Sequence, residues 1–322
     1  GQQDDVETLQ PITVTATGQA TPLADLAGNV ARIEREEISL VGATHISELM
    51  YRAPGTWIVR GSGQEHLTAI RSPVLVGAGA CGAFLYLEDG IPIRPPGFCN
   101  VNELMEINTE QAGAIEVVRG PGTARYGSNA LHGTINVQSP DVRDSEDYLA
   151  FEAGSWDFYR GRFGAGIANG DDAYRAWGHV EHDGGYRDDS GYDQAKLNLA
   201  WRGERDDAGM DAMLSATRLR QDTAGFIFGK DAYKSSDARK SNPVAGAFRD
   251  VDSLRLIGGY EIPLAPANTL SIRPYARRSS MEFTQHFIPG QPEEDNDQTS
   301  GGVRLALRKE DTGSGLLIAG LD

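Results

Sequence analysis

Histidines, two cysteines, two acidic runs and one long polar segment are the parts of this chain with chemistry to offer. His45, His66, His132, His179, His182 and His286 fall in different segments, and none forms a ligand spacing such as H-x-x-x-H. His179 and His182 lie three apart in an alternating stretch, which sends them to opposite faces. Serine and aspartate are plentiful, yet no G-x-S-x-G elbow occurs. No catalytic set, cofactor site or metal site is therefore expected. The runs Asp188-Asp189 and Glu293-Glu294-Asp295-Asn296-Asp297 read as loops; the second has the hard oxygens for Ca²⁺, although solvation is the plainer reading. Cys81 and Cys99 bracket Phe84 to Phe98. A bridge between them would stabilise by roughly 3 kcal/mol in the chain-entropy view, and two buried free thiols fit the same spacing. Residues 221–252 gather Phe226, Phe228 and Tyr233 with Lys230, Lys234, Arg239, Lys240 and Arg249. Rings with cations suit a flat anionic chelate, and equally the phosphates of a lipopolysaccharide surface.

Composition limits what can position these groups. The chain has 322 residues, with 30 basic and 46 acidic side chains and a formal net charge of −16, which argues against a nucleic-acid partner. No stretch of about 18 apolar residues exists, so a helical membrane protein is excluded, whereas a transmembrane barrel is not. Gly1 without a preceding methionine reads as a mature N-terminus after removal of a signal peptide. Two cysteines closing a modest loop suit an oxidising compartment such as the periplasm.

From about residue 146 the pattern has period two. Leu149, Phe151 and Ala153 alternate with Tyr148, Ala150 and Glu152; Tyr174, Ala176, Gly178 and Val180 with Arg175, Trp177, His179 and Glu181. The alternation continues with Ala195, Leu197, Leu199 and Trp201 against Gln194, Lys196, Asn198 and Arg202. It ends with Leu254, Leu256 and Tyr260 against Arg255, and Val303, Leu305 and Leu307 against Arg304 and Arg308. One apolar and one charged face over strands of about ten residues predicts a wall that is apolar toward lipid and polar toward its lumen. Connections alternate between short (near 169–172, 203–206, 263–268 and 310–314) and long (182–193, 221–252 and 285–297). That places the short ones at the periplasmic side and the long ones outside. The short connection at Ser155-Trp156-Asp157 falls on the outer side.

Residues 20 to about 140 read as a compact α+β unit. A helical turn is expected over Glu34–Ser39 and an amphipathic helix over Ala43–Tyr51, capped by Thr44. Strands are expected at Thr56–Val59, Thr68–Arg71 and Ala83–Leu87, the last running into Glu88-Asp89-Gly90-Ile91-Pro92. The unit ends in Ile115-Glu116-Val117-Val118-Arg119-Gly120-Pro121-Gly122, then Tyr126-Gly127, then Gly133-Thr134-Ile135-Asn136-Val137. Here Gly120 and Pro121 break one strand, and Gly127 and Gly133 permit backbone that a side chain would forbid. Before the unit stands Ile12-Thr13-Val14-Thr15-Ala16, five strong β-formers read as an orphan strand, a template for strand addition.

These motifs closely resemble those of TonB-dependent outer-membrane receptors: the IEV-x-RGP…YG…IN end of the plug, the PGV, I-x-I-R-G and DG-[IV]-P signatures, and a TonB box at Ile12–Ala16. The chain departs at His132 and at Ser72-Pro73, where glycine is usual. The resemblance implies an α+β plug domain followed by an antiparallel transmembrane β-barrel of 22 strands, of which eight and the start of a ninth are counted here. Its divisions would be a tail with the box (1–19), the plug (20–143) and the first part of the barrel (144–322). An open barrel edge in lipid leaves backbone unpaired at several kcal/mol per group, so this segment would not insert stably alone. Only about eleven residues precede the box, so a signalling extension is not expected.

The resemblance also implies a function and its residues. TonB would add a strand at the box and pull, moving a ferric siderophore across the Gram-negative outer membrane. Heme, a copper chelate, cobalamin or an oligosaccharide are alternative cargoes. The receptor would be a monomer in outer-membrane lipid and lipopolysaccharide, and not an enzyme. Arg71 and Arg119 would pair with barrel carboxylates; Glu152 and Glu181 face the lumen, while better partners are expected beyond Asp322. The plug apex would meet ligand through Arg60, Gln64, His66, Pro96, Phe98 and Asn100, joined by Phe226 and Phe228 from the long loop. From a different class, a soluble periplasmic or surface β-rich binding protein would share the alternation.

Overall fold

The computed structural model describes residues 13–14, 21–22, 29–74, 84–96, 102–122, 126, 129–265, 268–311 and 315–321. Two short strands come first, β1 (Thr13–Val14) and β2 (Thr21–Pro22), paired antiparallel. Next are β3 (Val30–Glu34), α1 (Arg35–Val41), α2 (Ile46–Met50), and the hairpin of β4 (Thr56–Arg60) with β5 (His66–Ile70). Strands β6 (Phe84–Glu88), β7 (Ile91–Pro92), β8 (Ala114–Arg119) and β9 (Gly133–Gln138) complete a five-stranded sheet in the order β3-β8-β9-β6-β7. Within it β6 and β9 run parallel and the other neighbours antiparallel.

Local chemistry accounts for most of these boundaries. Glu34 and Glu37 close a capping box at the start of α1, and Gly42 ends it in the left-handed region. Helix α2 starts later than expected, and His45 rather than Thr44 is its cap, Nδ1 accepting from the Ser47 amide at 3.1 Å. Histidine is not a usual cap; here burial holds the ring in place, with Nε2 against the Glu65 carbonyl at 3.2 Å. Asp89 and Gly90 both have positive φ, as a two-residue hairpin turn between β6 and β7 requires. Gly133 is required by close approach: a Cβ there would sit 2.9 Å from Ile70 Cδ1 and closer still to the Val118 carbonyl. At the Ser72-Pro73 departure the left-handed backbone falls on Arg71 itself (φ 49°), an uncommon conformation for a residue with a Cβ. Helices and sheet enclose an apolar core that includes Ile33, Leu49, Met50, Ile58, Phe84, Leu104, Ile115 and Ile135.

The second sheet has nine antiparallel strands in sequence order: β10 (Tyr148–Ala153), β11 (Tyr159–Asn169), β12 (Asp172–Asp183), β13 (Tyr192–Arg205), β14 (Ala208–Asp222), β15 (Phe248–Ala265), β16 (Asn268–Thr284), β17 (Glu293–Asp311) and β18 (Gly315–Leu321). Most are longer than the sequence pattern suggested. The Glu293–Asp297 run opens β17 instead of lying in a loop. Long connections at residues 184–191, 223–247 and 285–292 share one end with the short turn at 154–158, and a helix α3 (Ser236–Lys240) sits in the longest. Among the described residues, β10 and β18 each have one neighbour, so the sheet is open.

Burial in this wall is inverted. Arg175, Trp177, His179 and Glu181 are buried along β12, whereas Tyr174 and Val180 are exposed. On β15, Arg255 is 4% exposed and its neighbour Leu256 51%. A wall facing water on its outside would reverse this arrangement. Outward residues from Leu254 to Leu264 span roughly 33 Å of strand, or about 25 Å across a bilayer at the usual barrel tilt. The polar face lies against the plug.

Candidate functional site

The contact between plug and wall is buried and mainly polar, with two small apolar clusters, one around Met105 with Leu219, Val251 and Met281 and one around Ile91 with Trp177, Met213 and Ile257. Glutamates of the plug meet cations of the wall: Glu65 with Arg249 at 2.9 Å, Glu88 with Arg255 at 2.7 Å, and Glu110 with Lys196 at 2.9 Å. Glu106 stands on a buried 3₁₀ turn (Glu103–Glu106), 3.8 Å from the same Arg255 and 3.0 Å from Ser279 Oγ. Arg255 also donates to the Glu106 carbonyl, and Lys196 to the Ile107 carbonyl, both at 2.8 Å. Arg160 on β11 donates to the Ala43 and Gly42 carbonyls just beyond α1, at 2.6 and 2.8 Å. Arg304 reaches the Gly90 carbonyl at 2.6 Å.

The plug apex is fastened in the same way. Between β4 and β5, Ser62 accepts through its hydroxyl from the Ala224 amide (2.9 Å) and through its carbonyl from Gln221 (3.1 Å). Gln221 Oε1 accepts from the Gln64 amide at 2.7 Å. Above this, the outer loops are stitched together. Arg187 donates to the Gly225 and Ser241 carbonyls at 2.6 and 2.7 Å, and Asn242 to Asp189 at 2.9 Å. Phe226 (61% exposed) packs against His286 at 5.6 Å between ring centres, and Phe228 is 85% exposed.

Burial sets the protonation of the plug side of the contact. It lowers His45 to about 3, with His66 adding repulsion, and lowers His66 to about 4. Burial alone would raise Glu110, but Lys196 beside it holds the carboxyl at about 2. Glu106 is pushed up by burial against the opposing pull of Arg255. Two carboxylates sharing one guanidinium explains the difference: Arg255 satisfies Glu88 first.

Several expectations change against this geometry. Gln64 and His66 are buried, the first bound to Gln221 and the Thr44 carbonyl, the second to Asn102 and the Gln64 carbonyl, so they fasten the apex instead of facing outward. Arg60 is exposed and 3.4 Å from Glu48; Pro96 is exposed. Arg119 donates to the Pro54 carbonyl at 2.5 Å, with exposed Arg71 close by, and among the described residues neither pairs with a wall carboxylate. Glu152 and Glu181 instead hold the wall's own Arg160, at 2.6 and 3.4 Å. The box is no orphan strand where it is described, since Thr13 and Val14 face Pro22 and Thr21. Ile12, Thr15, Ala16, Cys81, Phe98, Cys99 and Asn100 lie outside the described residues. The plug glutamates went unnoticed because they sit singly at strand ends and turns; the signal available was Lys196 and Arg255 on the charged face.

An α+β plug fastened by polar contacts against an inside-out antiparallel wall defines a plugged outer-membrane barrel. The family model of the TonB-dependent receptor plug domain matches residues 22–134. The chain is 29% identical over 153 residues to the vitamin B12 transporter BtuB of Vibrio vulnificus (strain CMCP6), a stretch covering 47% of this chain and 24% of the relative. Its fold matches the unliganded ferric citrate transporter FecA (TM-score 0.78, 18% identity, 97% of this chain and 49% of that one). It likewise matches the ferripyoverdine receptor of Pseudomonas aeruginosa (TM-score 0.75, 14% identity, 98% of this chain and 45% of that one). The plug part of the chain thus matches the TonB-dependent receptor plug family, and the chain as a whole shares the fold of these solved structures. It spans about half the length of those solved structures and a quarter of the curated relative.

Proposed function

We propose that this chain is the gating part of a receptor that takes up a scarce ligand, first of all a ferric siderophore, through work delivered by TonB. The observation that carries the reading is the plug–wall contact. Apolar burial holds the plug together, while it is held in the wall mainly by ion pairs and carbonyl contacts, which water can replace, beside two small apolar clusters at Met105 and Ile91. A pull from below would therefore free the plug from the wall before melting its core. Ile12–Ala16 is the handle; among the described residues Thr13 and Val14 pair with Pro22 and Thr21, and Pro22 brings no N–H to that ladder. Arg71 and Arg119, side by side and without a carboxylate among the described residues, fit wall carboxylates on strands other than β10–β18. Exposed Arg60, Pro96, Phe226 and Phe228 are the candidate ligand contacts, with Phe98 and Asn100 adjoining Pro96 in sequence. A ferric citrate transporter and a ferripyoverdine receptor among the matched folds favour iron chelates. A vitamin B12 transporter among the relatives matched by sequence supports cobalamin as a second reading.

The test is uptake by the complete receptor in energised cells, with labelled iron on a panel of siderophores and labelled cobalamin alongside, with and without Val14→Pro. Uptake of one cargo that collapses in the variant identifies the cargo and the TonB route. Uptake indifferent to the variant rejects the box, and uptake of cobalamin alone replaces the iron reading.

A further inference from the structure

We infer that Gln221 is the positioning residue of an outer latch, through which the β14–β15 loop holds the plug apex closed until that loop is engaged; the inference rests on the transport reading above. Gln221 is buried near the end of β14 and turns both ends of its side-chain amide to the plug. Oε1 accepts from the Gln64 amide at 2.7 Å, and Nε2 donates to the Ser62 carbonyl at 3.1 Å. Three residues on, the Ala224 amide donates to the Ser62 hydroxyl at 2.9 Å. The apex is shaped to receive this amide. Gly63 has a left-handed backbone (φ 50°), and a Cβ there would fall 2.5 Å from Gln221 Cδ and closer still to its Oε1. Any side chain at residue 63 would therefore displace Gln221. Without Gln221 the buried Gln64 amide would lose its partner, which costs more than the bond itself contributes.

The loop reaches the apex from both of its ends. Gln221 is in register with Arg249 on β15, and Arg249 pairs with Glu65 at 2.9 Å while lying 4.0 Å over the Phe283 ring. Between these two points the Thr223 amide donates to the Ala247 carbonyl at 2.7 Å and closes the base of the loop. Residues 62–65 thus sit in a clip formed by the two ends of one loop. The body of the loop is braced as well. Asn242 Oδ1 accepts from the Gly225 and Val244 amides at 3.2 and 3.0 Å, and Arg187 ties the Gly225 carbonyl to the β12–β13 connection. Phe226 and Phe228, both exposed, follow Ala224 by two and four residues. A ligand packing against these rings therefore bears on a segment whose base is bonded to the plug. It opens the latch through contacts that favour the displaced loop over the seated one. These bonds lie at the last rungs of the ladder, where strand gives way to loop and local opening costs least. The ion pairs deeper in the seam have no such freedom.

The test uses the complete receptor in energised cells given neither siderophore nor cobalamin. The readout is entry of vancomycin, a glycopeptide too bulky for general pores. Two variants break the latch from opposite sides: Gln221→Leu removes the wall's amide, and Gly63→Ala puts a Cβ where that amide sits. Heat-modifiable gel mobility checks that each barrel is folded, and if one variant fails the other decides. The expected result in both is a tenfold or greater rise in vancomycin entry, lost when TonB is deleted from the cell. Entry no greater than through the unaltered receptor overturns the latch. Entry that persists without TonB also overturns it, because the contact is then a passive seal. Entry abolished by TonB deletion but not by Val14→Pro upholds the latch and rejects the box. Iron uptake by the unaltered receptor, kept or lost on TonB deletion, reports on the transport reading separately. Hydrogen exchange of the unaltered receptor needs no variant: the Gln64 and Ala224 amides, bonded across the seam in opposite directions, should open at one rate. Unequal rates would overturn a latch that opens as one unit.

Discussion

Plug and wall obey opposite burial rules, and the line between them runs between adjacent residues. In the plug, Ile33, Leu49 and Ile135 are fully buried and charge is pushed to the periphery. In the wall, Arg255 is buried and Leu256 beside it is exposed. Each region puts its apolar surface where water is absent: the plug has an interior, whereas the wall has a bilayer outside. The seam left between them is lined mainly by ions on both sides, with small apolar contacts at Met105 and Ile91. Such a seam gains little net stability from its pairs but loses much when one partner is removed alone. It is therefore specific without being as strong as a core, which suits a plug that must hold position and later leave it.

The sharpest way to break this comparison is at Arg255. Arg255→Leu would strand Glu88 and Glu106 and is expected to cost about 3–5 kcal/mol of plug docking, read as lowered thermal stability and a leaky barrel. Adding Glu88→Gln and Glu106→Leu should return most of the loss; no recovery would mean that the pairs are not what holds the seam. Ile135→Ala in the plug core should cost roughly 2–5 kcal/mol while leaving the wall intact, which hydrogen exchange resolved by region would separate. The reciprocal change on the outer face, Leu256→Arg, is expected to cost about 2 kcal/mol in insertion assays, whereas a water-facing surface would tolerate it.

Acid should loosen the plug. His45 and His66 are held at about 3 and about 4, below the ordinary 6.5, so their neutral forms contribute stability that is complete above pH 6.5. Below that the unfolded plug takes up protons and the folded plug does not, so stability falls as pH drops toward 4. The loss is about 2 kcal/mol per histidine by pH 5. Glu110, held at about 2, acts with the same sign at lower pH, between 4.5 and 2. Melting of the intact receptor against pH measures the sum, and His45→Asn with His66→Asn should flatten the curve between pH 6.5 and 5. The smallest effect belongs to Arg60→Ala, whose exposed contact with Glu48 at 3.4 Å predicts a stability change within about 0.5 kcal/mol. A large fall in uptake with that small change would mark Arg60 as a ligand contact; unchanged uptake would remove it from the site.

The alternation from residue 146 onward determined the wall, because a period of two with one apolar face leaves little choice of which side meets lipid. The glycine at the start of β9 was likewise legible in the plug motif, since Gly133 has no room for a Cβ. His45 as a helix cap, Gln64 and His66 as fasteners, and the plug glutamates that meet Arg249, Arg255 and Lys196 were decided only by the tertiary structure. The physical reason is range. Backbone sterics and alternation act over a few residues, whereas Glu88 and Arg255 are far apart along the chain and are joined only when the plug is seated.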